Sequence, residues 1–216
     1  MRTVRYGALL IDAAGTLLHL REPVGVVYAR LGGPHGLTRS PEAIDTGFRR
    51  AMRAPWPGRR FDGDGRPFWR FVVERATGLT DPEYFEAVYN AFGPGAWKVA
   101  PGALDCLEIL STSGVKLAVV SNWDHRLRSL LSTLGVLERI DLAIVSGEVR
   151  LEKPDPRIFE VTCKRLGVPP RFAVHVGDNR KHDVVGARTA GCTAWQYGRD
   201  IHSFAEIQQR VLDANE

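Results

Sequence analysis

Four separated segments of the 216-residue chain carry residue types that can bind a metal ion and a phosphate group. Asp12, Asp178 and Asp183 supply carboxylate oxygens, which are the ligands that Mg²⁺ prefers. Ser121 supplies a hydroxyl and Lys153 an ammonium, and both groups hold phosphate oxygens in proteins. The sequence therefore predicts a combined metal and phosphate site, provided that the fold gathers residues that lie far apart in the chain.

Each of these residues also has an ordinary structural explanation. Asp12 is of a type that forms turns, and Ser121 is a good N-cap for a helix that begins near residue 124. Lys153 precedes a proline and fits a surface turn. Asp178 fits a loop, and an acid at Asp183 favours the start of a helix. The functional interpretation therefore depends on all of them meeting in one place.

The elements that must position these residues are short apolar runs that alternate with helical patterns. Continuous apolar character, typical of buried parallel strands, predicts strands at residues 6–12, 116–121, 141–146, 172–178 and 193–196. Leucine spacing, with Pro and Gly at several of the boundaries, predicts helices at residues 101–113, 124–134, 156–166, 181–190 and 203–212. The alternation predicts an α/β fold with a doubly wound parallel sheet. Ligands of such sheets bind beyond the carboxyl ends of the strands, where Asp12, Ser121, Ser146 and Asp178 fall.

The stretch of residues 21–98 interrupts this alternation. It contains helical patterns at residues 24–31, 42–53, 67–77 and 82–92 and no clear buried strand. We predict that it is an inserted α-helical cap and that residues 1–20 and 99–216 form the core domain. Most of its aromatic residues are expected to form the cap's own core. We take Trp56, Arg66 and Trp69 as the first candidates for substrate specificity, with Arg66 binding a second anionic group or simply lying at the surface.

The order of the motifs resembles that of the haloacid dehalogenase superfamily, and the resemblance covers almost the whole chain. It rests on residues 12–16, 121–122, 153–154 and 176–179, followed by Asp183. The helical insert is similar to the small cap of that family. Residues 54–57, 63–69 and 175–178 most resemble the haloacid-dehalogenase-like hydrolase domain-containing protein three group, especially its plant-type members. The resemblance implies a Rossmann-like core and a hydrolase that uses Mg²⁺.

The resemblance also implies a role for each motif residue. Asp12 would be the nucleophile that forms an aspartyl phosphate, and Lys153 would stabilise the charge of the transition state. The implied metal ligands are Asp12, Asp178, the backbone carbonyl of Ala14 and, through water, Asp183. The implied phosphate-binding residues are Gly15, Thr16, Ser121, Asn122 and Lys153. The substrate would be a small phosphorylated metabolite.

Ala14 departs from the pattern of the family's phosphatases, which carry a second aspartate at this position. That aspartate protonates the leaving group and then activates water, and losing such a group costs about 10²–10⁴ in rate. We therefore expect either a slow phosphatase or an inactive module that binds phosphate and Mg²⁺ as a sensor or assembly partner. His19 and Asp124 are the nearest alternative acids, although a packed histidine and a helix-capping aspartate are the more ordinary interpretations.

Composition narrows the remaining functions. A formal net charge of +4 without a long basic block gives little reason to expect a nucleic-acid partner. The apolar runs are too short to span a membrane. Three scattered cysteines without CxxC spacing argue against a disulfide scaffold or a zinc site. With no targeting segment visible ahead of the first strand, we expect a soluble protein of a reducing compartment, either the cytoplasm or the interior of an organelle.

Overall fold

The computed structural model describes residues 5–213, which form two compact units. One unit comprises residues 5–19 and 99–213, and the other comprises residues 20–98. The strands are β1 (Ala8–Ile11), β2 (Leu18–Leu20), β3 (Trp97–Val99), β4 (Lys116–Ser121), β5 (Leu142–Val145), β6 (Ala173–Gly177) and β7 (Thr193–Gln196). The helices are α1 (Val24–Gly32), α2 (Pro41–Arg53), α3 (Arg66–Thr77), α4 (Pro82–Ala91), α5 (Ala103–Thr112), α6 (Arg126–Thr133), α7 (Ser146–Val149), α8 (Pro156–Leu166), α9 (Gly186–Thr189) and α10 (Phe204–Leu212).

The first unit is built on a parallel five-stranded sheet in the order β5-β4-β1-β6-β7. This arrangement confirms the predicted α/β fold with a doubly wound sheet. In the register of the sheet, Ile11 pairs with Val119 on one side and with Val176 on the other. The residues that follow β1, β4 and β6 therefore emerge at the same edge, where the strand order reverses and ligands of such sheets bind.

The apolar runs become strands because both faces of the sheet are covered. Ala8, Leu10 and Val120 lie in a buried cluster with Ile158 and Phe159 of α8. Their strand neighbours, such as Leu9 and Val119, face the other way and are equally buried, as the pleat of a strand requires. Continuous burial of this kind explains why the sequence shows no alternation of polar and apolar residues.

The second unit is helical and has its own aromatic core. Tyr28 of α1, Ile44 of α2 and Tyr84 of α4 lie in one buried cluster, and Phe61 and Phe68 lie in another. Helix α2 begins at Ser40, whose hydroxyl accepts the N–H of Ala43, and α4 begins at Asp81, whose carboxylate accepts the N–H groups of Glu83 and Tyr84. These caps hold two N-termini in the way that Ser and Asp favour.

Two local features differ from the sequence predictions. Strands β2 and β3, which pair with each other, were not predicted because three residues carry no readable period. The predicted helix at residues 181–190 begins instead as a π-helix, Arg180–Val185, before α9.

Within residues 5–213 the longest helix is α2, whose 13 residues are fewer than a bilayer crossing requires.

Candidate active site

The carboxyl edge of the sheet brings Asp12, Ser121 and Lys153 into direct contact. Nζ of Lys153 donates to Oδ1 of Asp12 at 2.7 Å, and the Ser121 hydroxyl donates to the same oxygen at 3.0 Å. All three residues are buried, with 2% exposure for Lys153 and 7% for Asp12. The carboxylates of Asp12 and Asp183 raise the pKa of Lys153 above its usual value, although burial alone would lower it. The ammonium therefore stays charged inside the site.

Asp183 joins this contact from the π-helix that follows β6. Its Oδ1 accepts Nζ of Lys153 at 2.5 Å and lies 3.0 Å from Nε2 of His175, and its Oδ2 accepts the N–H of Asn179 at 2.9 Å. The Asn179 side chain in turn accepts the N–H groups of Lys181 and His182, which forms a reciprocal cap of this first turn. Burial would raise the pKa of Asp183, but Lys153 and His175 hold it below its usual range.

Asp178 lies on the same edge and completes a group of three carboxylates. Oxygens of Asp12, Asp178 and Asp183 all lie within 4.8 Å of one another. The Asp178 side chain is exposed at its outer side, but partial burial of its carboxyl group, reinforced by the charges of Asp12 and Asp183, raises the pKa of Asp178 to about 6. Burial, together with the charge of Asp183, also raises the pKa of Asp12, although Lys153 acts to lower it. Negative charge thus exceeds positive charge at the site, which is the condition that favours a bound cation.

The three carboxylates can lie this close together because two neighbouring residues are glycines. Gly15 has a φ of +82°, and a Cβ built on it would lie 2.6 Å from Oδ2 of Asp178. A Cβ on Gly177 would lie 2.2 Å from Cγ of Asp183. Both distances are shorter than real Cβ contacts, so any larger residue would push a carboxylate away from the group.

The loop after β1 contains Gly15 and Thr16, for which the sequence predicts contacts with phosphate. The N–H of Gly15 donates to the carbonyl of Leu18 at 2.9 Å, so it is not available to a phosphate. Thr16 is fully buried, and its hydroxyl has no hydrogen-bond partner among residues 5–213. The N–H groups of this loop that lack an acceptor within the described chain are those of Ala13 and Ala14. These two amides are therefore further candidates for contacts with phosphate, and the roles of Gly15 and Thr16 stay predictions.

Asn122 is another residue for which the sequence predicts a contact with phosphate. Its amide nitrogen donates to the carbonyl of Lys153 at 2.9 Å, and its amide oxygen accepts the N–H of Lys153 at 2.7 Å. This two-point contact fixes the backbone of the lysine across 31 positions of sequence. The side chain thus positions Lys153, and the phosphate contact of Asn122 stays a prediction.

Ser146 and Asp124 are held by contacts of their own. The Ser146 hydroxyl exchanges hydrogen bonds with the backbone of Trp123 at 3.0 and 3.2 Å. The Asp124 carboxylate is buried and accepts the N–H and the guanidinium of Arg126 at 2.8–3.1 Å. Asp124 therefore stabilises the first residue of α6 through Arg126, although the N-cap position itself is His125, which makes no side-chain cap hydrogen bond. Ala14 has an exposed side chain that carries no acid.

The three cap residues chosen for specificity have partners within the unit of residues 20–98. The ring of Trp56 packs edge-on against Phe68, and Trp69 lies against both buried clusters. Arg66 pairs with Asp64 at 2.9 Å and with Glu86, and its guanidinium lies over the Tyr89 ring at 4.2 Å. These contacts favour a structural role for Arg66. A substrate contact of any of the three stays a prediction.

His175 is the site residue that the sequence reasoning did not single out. It lies in β6, is fully buried and packs edge-on against Phe159 at 4.9 Å. Its Nδ1 has no hydrogen-bond partner among the described residues, whereas Nε2 faces Asp183. The available signal was a histidine in an otherwise apolar strand, because a buried polar side chain needs a partner nearby.

Comparisons with known proteins identify the family of the chain. A family model of haloacid dehalogenase-like hydrolases matches residues 6–191. Haloacid dehalogenase-like hydrolase domain-containing protein 3 of Homo sapiens is 36% identical over 215 residues, which cover 94% of this chain and 82% of the relative. The match extends over both units described above.

Solved structures show the same fold. A HAD phosphatase from Thermococcus onnurineus is 30% identical with a TM-score of 0.67, and the match covers 94% of this chain and 96% of that one. A dehalogenase is 22% identical with a TM-score of 0.74 and covers 98% and 99% of the two chains. At that identity the second likeness shows the fold alone.

Proposed function

The chain belongs to the haloacid dehalogenase-like hydrolase family, and from this premise we propose that it slowly hydrolyses a small phosphorylated metabolite with Mg²⁺. The observation that carries the proposal is the buried contact of 2.7 Å between Lys153 and Asp12, with Asp178 and Asp183 beside it. A phosphatase needs a nucleophile, a cation site and a phosphate-binding cation in one place. The likeness to a HAD phosphatase at 30% identity supports the same class of reaction.

The residues present fit Mg²⁺. Three carboxylates have oxygens within 4.8 Å of one another. Burial of its carboxyl group and, secondarily, the charges of Asp12 and Asp183 raise the pKa of Asp178 to about 6. Asp12, Asp178 and the backbone carbonyl of Ala14 would hold the ion. Asp183 would act through water, because both of its oxygens already accept hydrogen bonds. When bound, Mg²⁺ supplies charge neutralisation that allows a carboxylate to approach an anionic phosphate.

The protein groups of the site would have different roles in the reaction. Asp12 attacks phosphorus, the bond to the leaving oxygen breaks, and the carboxylate carries the phosphoryl group until water releases it. Lys153 uses two of its three N–H groups on Asp12 and Asp183, which leaves one for a phosphate oxygen. The Ser121 hydroxyl and the amides of Ala13 and Ala14 bind the remaining oxygens. These donors stabilise charge that grows in the transition state.

Ala14 limits the substrates that such a site would turn over. The leaving oxygen takes no proton from a methyl group, so a leaving group that is stable as an anion is favoured. The attack of water on the aspartyl phosphate also lacks a positioned base, which makes this step slow. This observation favours the second candidate function as well, a module that binds phosphate and Mg²⁺ without turnover and acts as a sensor or assembly partner.

The proposal is tested by phosphate release from p-nitrophenyl phosphate and a panel of metabolite phosphates, with and without Mg²⁺. The variants are Asp12→Asn and, as a matched control, Asp105→Asn on the exposed side of α5. We expect Mg²⁺-dependent release that disappears in Asp12→Asn and persists in Asp105→Asn. Equal release by both variants would contradict the proposal. No release by the wild type, together with measurable Mg²⁺ binding, would favour the non-catalytic module.

A further inference from the structure

The helical unit of residues 20–98 contains a basic cavity that the proposed reaction does not use. The cavity has a volume of about 390 Å³ and is lined by residues of α2 and α3 and by Arg39, which precedes α2. Three of its lining residues are arginines, Arg39, Arg50 and Arg75. A concave space of this size suits a small molecule.

The cavity exists because α2 presents small residues along it. Ala43, Gly47 and Ala51 line it at intervals of four residues, which places them on one face of the helix. Gly47 also lets α2 approach α3 closely, since a Cβ on it would lie 2.9 Å from the backbone of Ala76. The small side chains at these three positions leave space beside Arg50 of the same helix.

The charge of the cavity is not compensated by its lining, which contains no acidic residue. Elsewhere in the same unit Arg30 pairs with Glu22 and Arg66 pairs with Asp64. Among the ion pairs of residues 5–213, by contrast, none involves Arg39, Arg50 or Arg75. Three like charges around one space repel one another, and an anion placed among them would relieve that repulsion.

Two of the arginines are held in place by contacts that leave most of their donors free. Nη1 of Arg39 donates to the carbonyl of Ala76 at 3.1 Å, and the guanidinium of Arg75 lies 5.0 Å from the ring centre of Phe71. Each guanidinium has five N–H donors in a planar fork that matches phosphate oxygens. The anchored groups would therefore bind an anion with little loss of side-chain freedom.

We propose that this cavity binds a small anion that carries at least two phosphate groups. Three guanidinium groups exceed the charge that one phosphate would neutralise, and the planar donors favour phosphate oxygens. The three arginines are exposed around a concave space that opens to solvent, and this concave shape favours a free small molecule over the broad surface of a membrane. The residues of this site differ from those around Asp12, so the inference goes beyond the proposed hydrolysis and does not depend on it.

The test is isothermal titration calorimetry with pyrophosphate in EDTA, with inorganic phosphate for comparison. The variants are Arg50→Gln and Arg75→Gln, with Arg53→Gln as control, because Arg53 lies on the same helix, is exposed and does not line the cavity. We expect pyrophosphate to bind more tightly than phosphate, and about tenfold or more weaker pyrophosphate binding in the first two variants. Arg53→Gln should bind like the wild type, and circular dichroism should show all variants folded.

A further variant, Lys153→Met, separates this site from the core. It should keep its pyrophosphate affinity, because no core residue lines the cavity. Loss of pyrophosphate binding in Lys153→Met while circular dichroism shows that variant to be folded, no binding by the wild type, or equal affinities in all arginine variants would each overturn the proposal. So would binding to vesicles that contain phosphatidylserine without binding to free pyrophosphate.

Discussion

Nζ of Lys153 lies 2.7 Å from Oδ1 of Asp12, and both side chains are buried at the carboxyl edge of the sheet. This pair joins the proposed nucleophile and a buried ammonium group that come from distant parts of the chain. The same ammonium contacts Asp183. The stability of the core and its chemistry therefore depend on the same contact.

Lys153→Met is expected to destabilise the metal-free protein by about 3–5 kcal/mol, because it leaves Asp12 and Asp183 buried without their cation. Urea unfolding measures this change. The control is Lys116→Met, which removes the exposed pair of Lys116 with Asp141 and should cost at most about 1 kcal/mol. Mg²⁺ should reduce the loss in Lys153→Met, since a second cation replaces part of the missing charge. Equal losses of unfolding free energy in both variants would contradict the conclusion that Lys153 stabilises the core by pairing with Asp12 and Asp183.

Gly15→Ala is expected to weaken Mg²⁺ binding, because its Cβ would meet Oδ2 of Asp178. Gly114→Ala is the matched control, since Gly114 has a similar φ of +85° but nothing within 4 Å of the added methyl. Both variants should lose about 1–2 kcal/mol of stability from left-handed backbone strain. Calorimetric titration with Mg²⁺ should show weaker binding in Gly15→Ala alone. Unchanged affinity in Gly15→Ala would show that Asp178 does not take part in the site.

The raised pKa of Asp178 predicts two pH effects of opposite sign. Mg²⁺ needs the ionised carboxylate, so its affinity should fall as the pH drops through about 6. When EDTA removes the metal, the Asp178 carboxyl group holds its proton more tightly in the native state than in the unfolded state. The contribution of Asp178 to stability should therefore decrease as the pH rises from about 4 to about 6. Urea unfolding should show Asp178→Asn gaining stability relative to wild type across that window, and a constant difference would be inconsistent with the raised pKa.

His175 is expected to position Asp183. His175→Leu removes the nitrogen that lies 3.0 Å from Oδ1 of Asp183 and leaves that buried charge with one partner fewer, which should cost about 1–3 kcal/mol. The Mg²⁺ concentration for half-maximal activity should rise as well. His175→Gln keeps an N–H donor and should restore part of both losses. If Leu and Gln behave alike, the histidine acts only by filling space.

Ala14→Asp is expected to accelerate turnover of substrates with poor leaving groups by about 10²–10⁴. The new carboxyl group would protonate the leaving oxygen and then activate water. The effect should be smaller for p-nitrophenyl phosphate, whose leaving group needs no proton. Steady-state rates on an alkyl phosphate and on the aryl phosphate give this comparison. A uniform effect on both substrates would show that protonation is not the step that Ala14 limits.

The sequence predicted the five strands of the parallel sheet and the meeting of Asp12, Ser121, Lys153, Asp178 and Asp183, because these depend on local pattern and on the parallel topology. Continuous apolar runs fix the strands, and parallel strands place their carboxyl ends at one edge. The family resemblance fixed the order of the motifs. The confirmed fold therefore followed from information that is present in short segments.

The hydrogen-bond partners within the site did not follow from the sequence. The N–H of Gly15 donates to the carbonyl of Leu18, and the side chain of Asn122 forms two hydrogen bonds with the backbone of Lys153. These partners depend on how the loops that follow the strands meet. The role of His175 depends on a π-helix that turns Asp183 back toward β6. No residue pattern in those segments specifies such partners, because each side chain has several local alternatives.

The most direct test of the central claim is to trap the phosphoryl group on Asp12. The wild type is mixed with p-nitrophenyl phosphate and Mg²⁺, quenched in acid, and its peptides are examined by mass spectrometry. Because no base at position 14 activates water, we predict that the peptide containing Asp12 carries one phosphoryl group, and that the adduct is absent in Asp12→Asn. Release of p-nitrophenol without an adduct, or an adduct that persists in Asp12→Asn, would contradict the account.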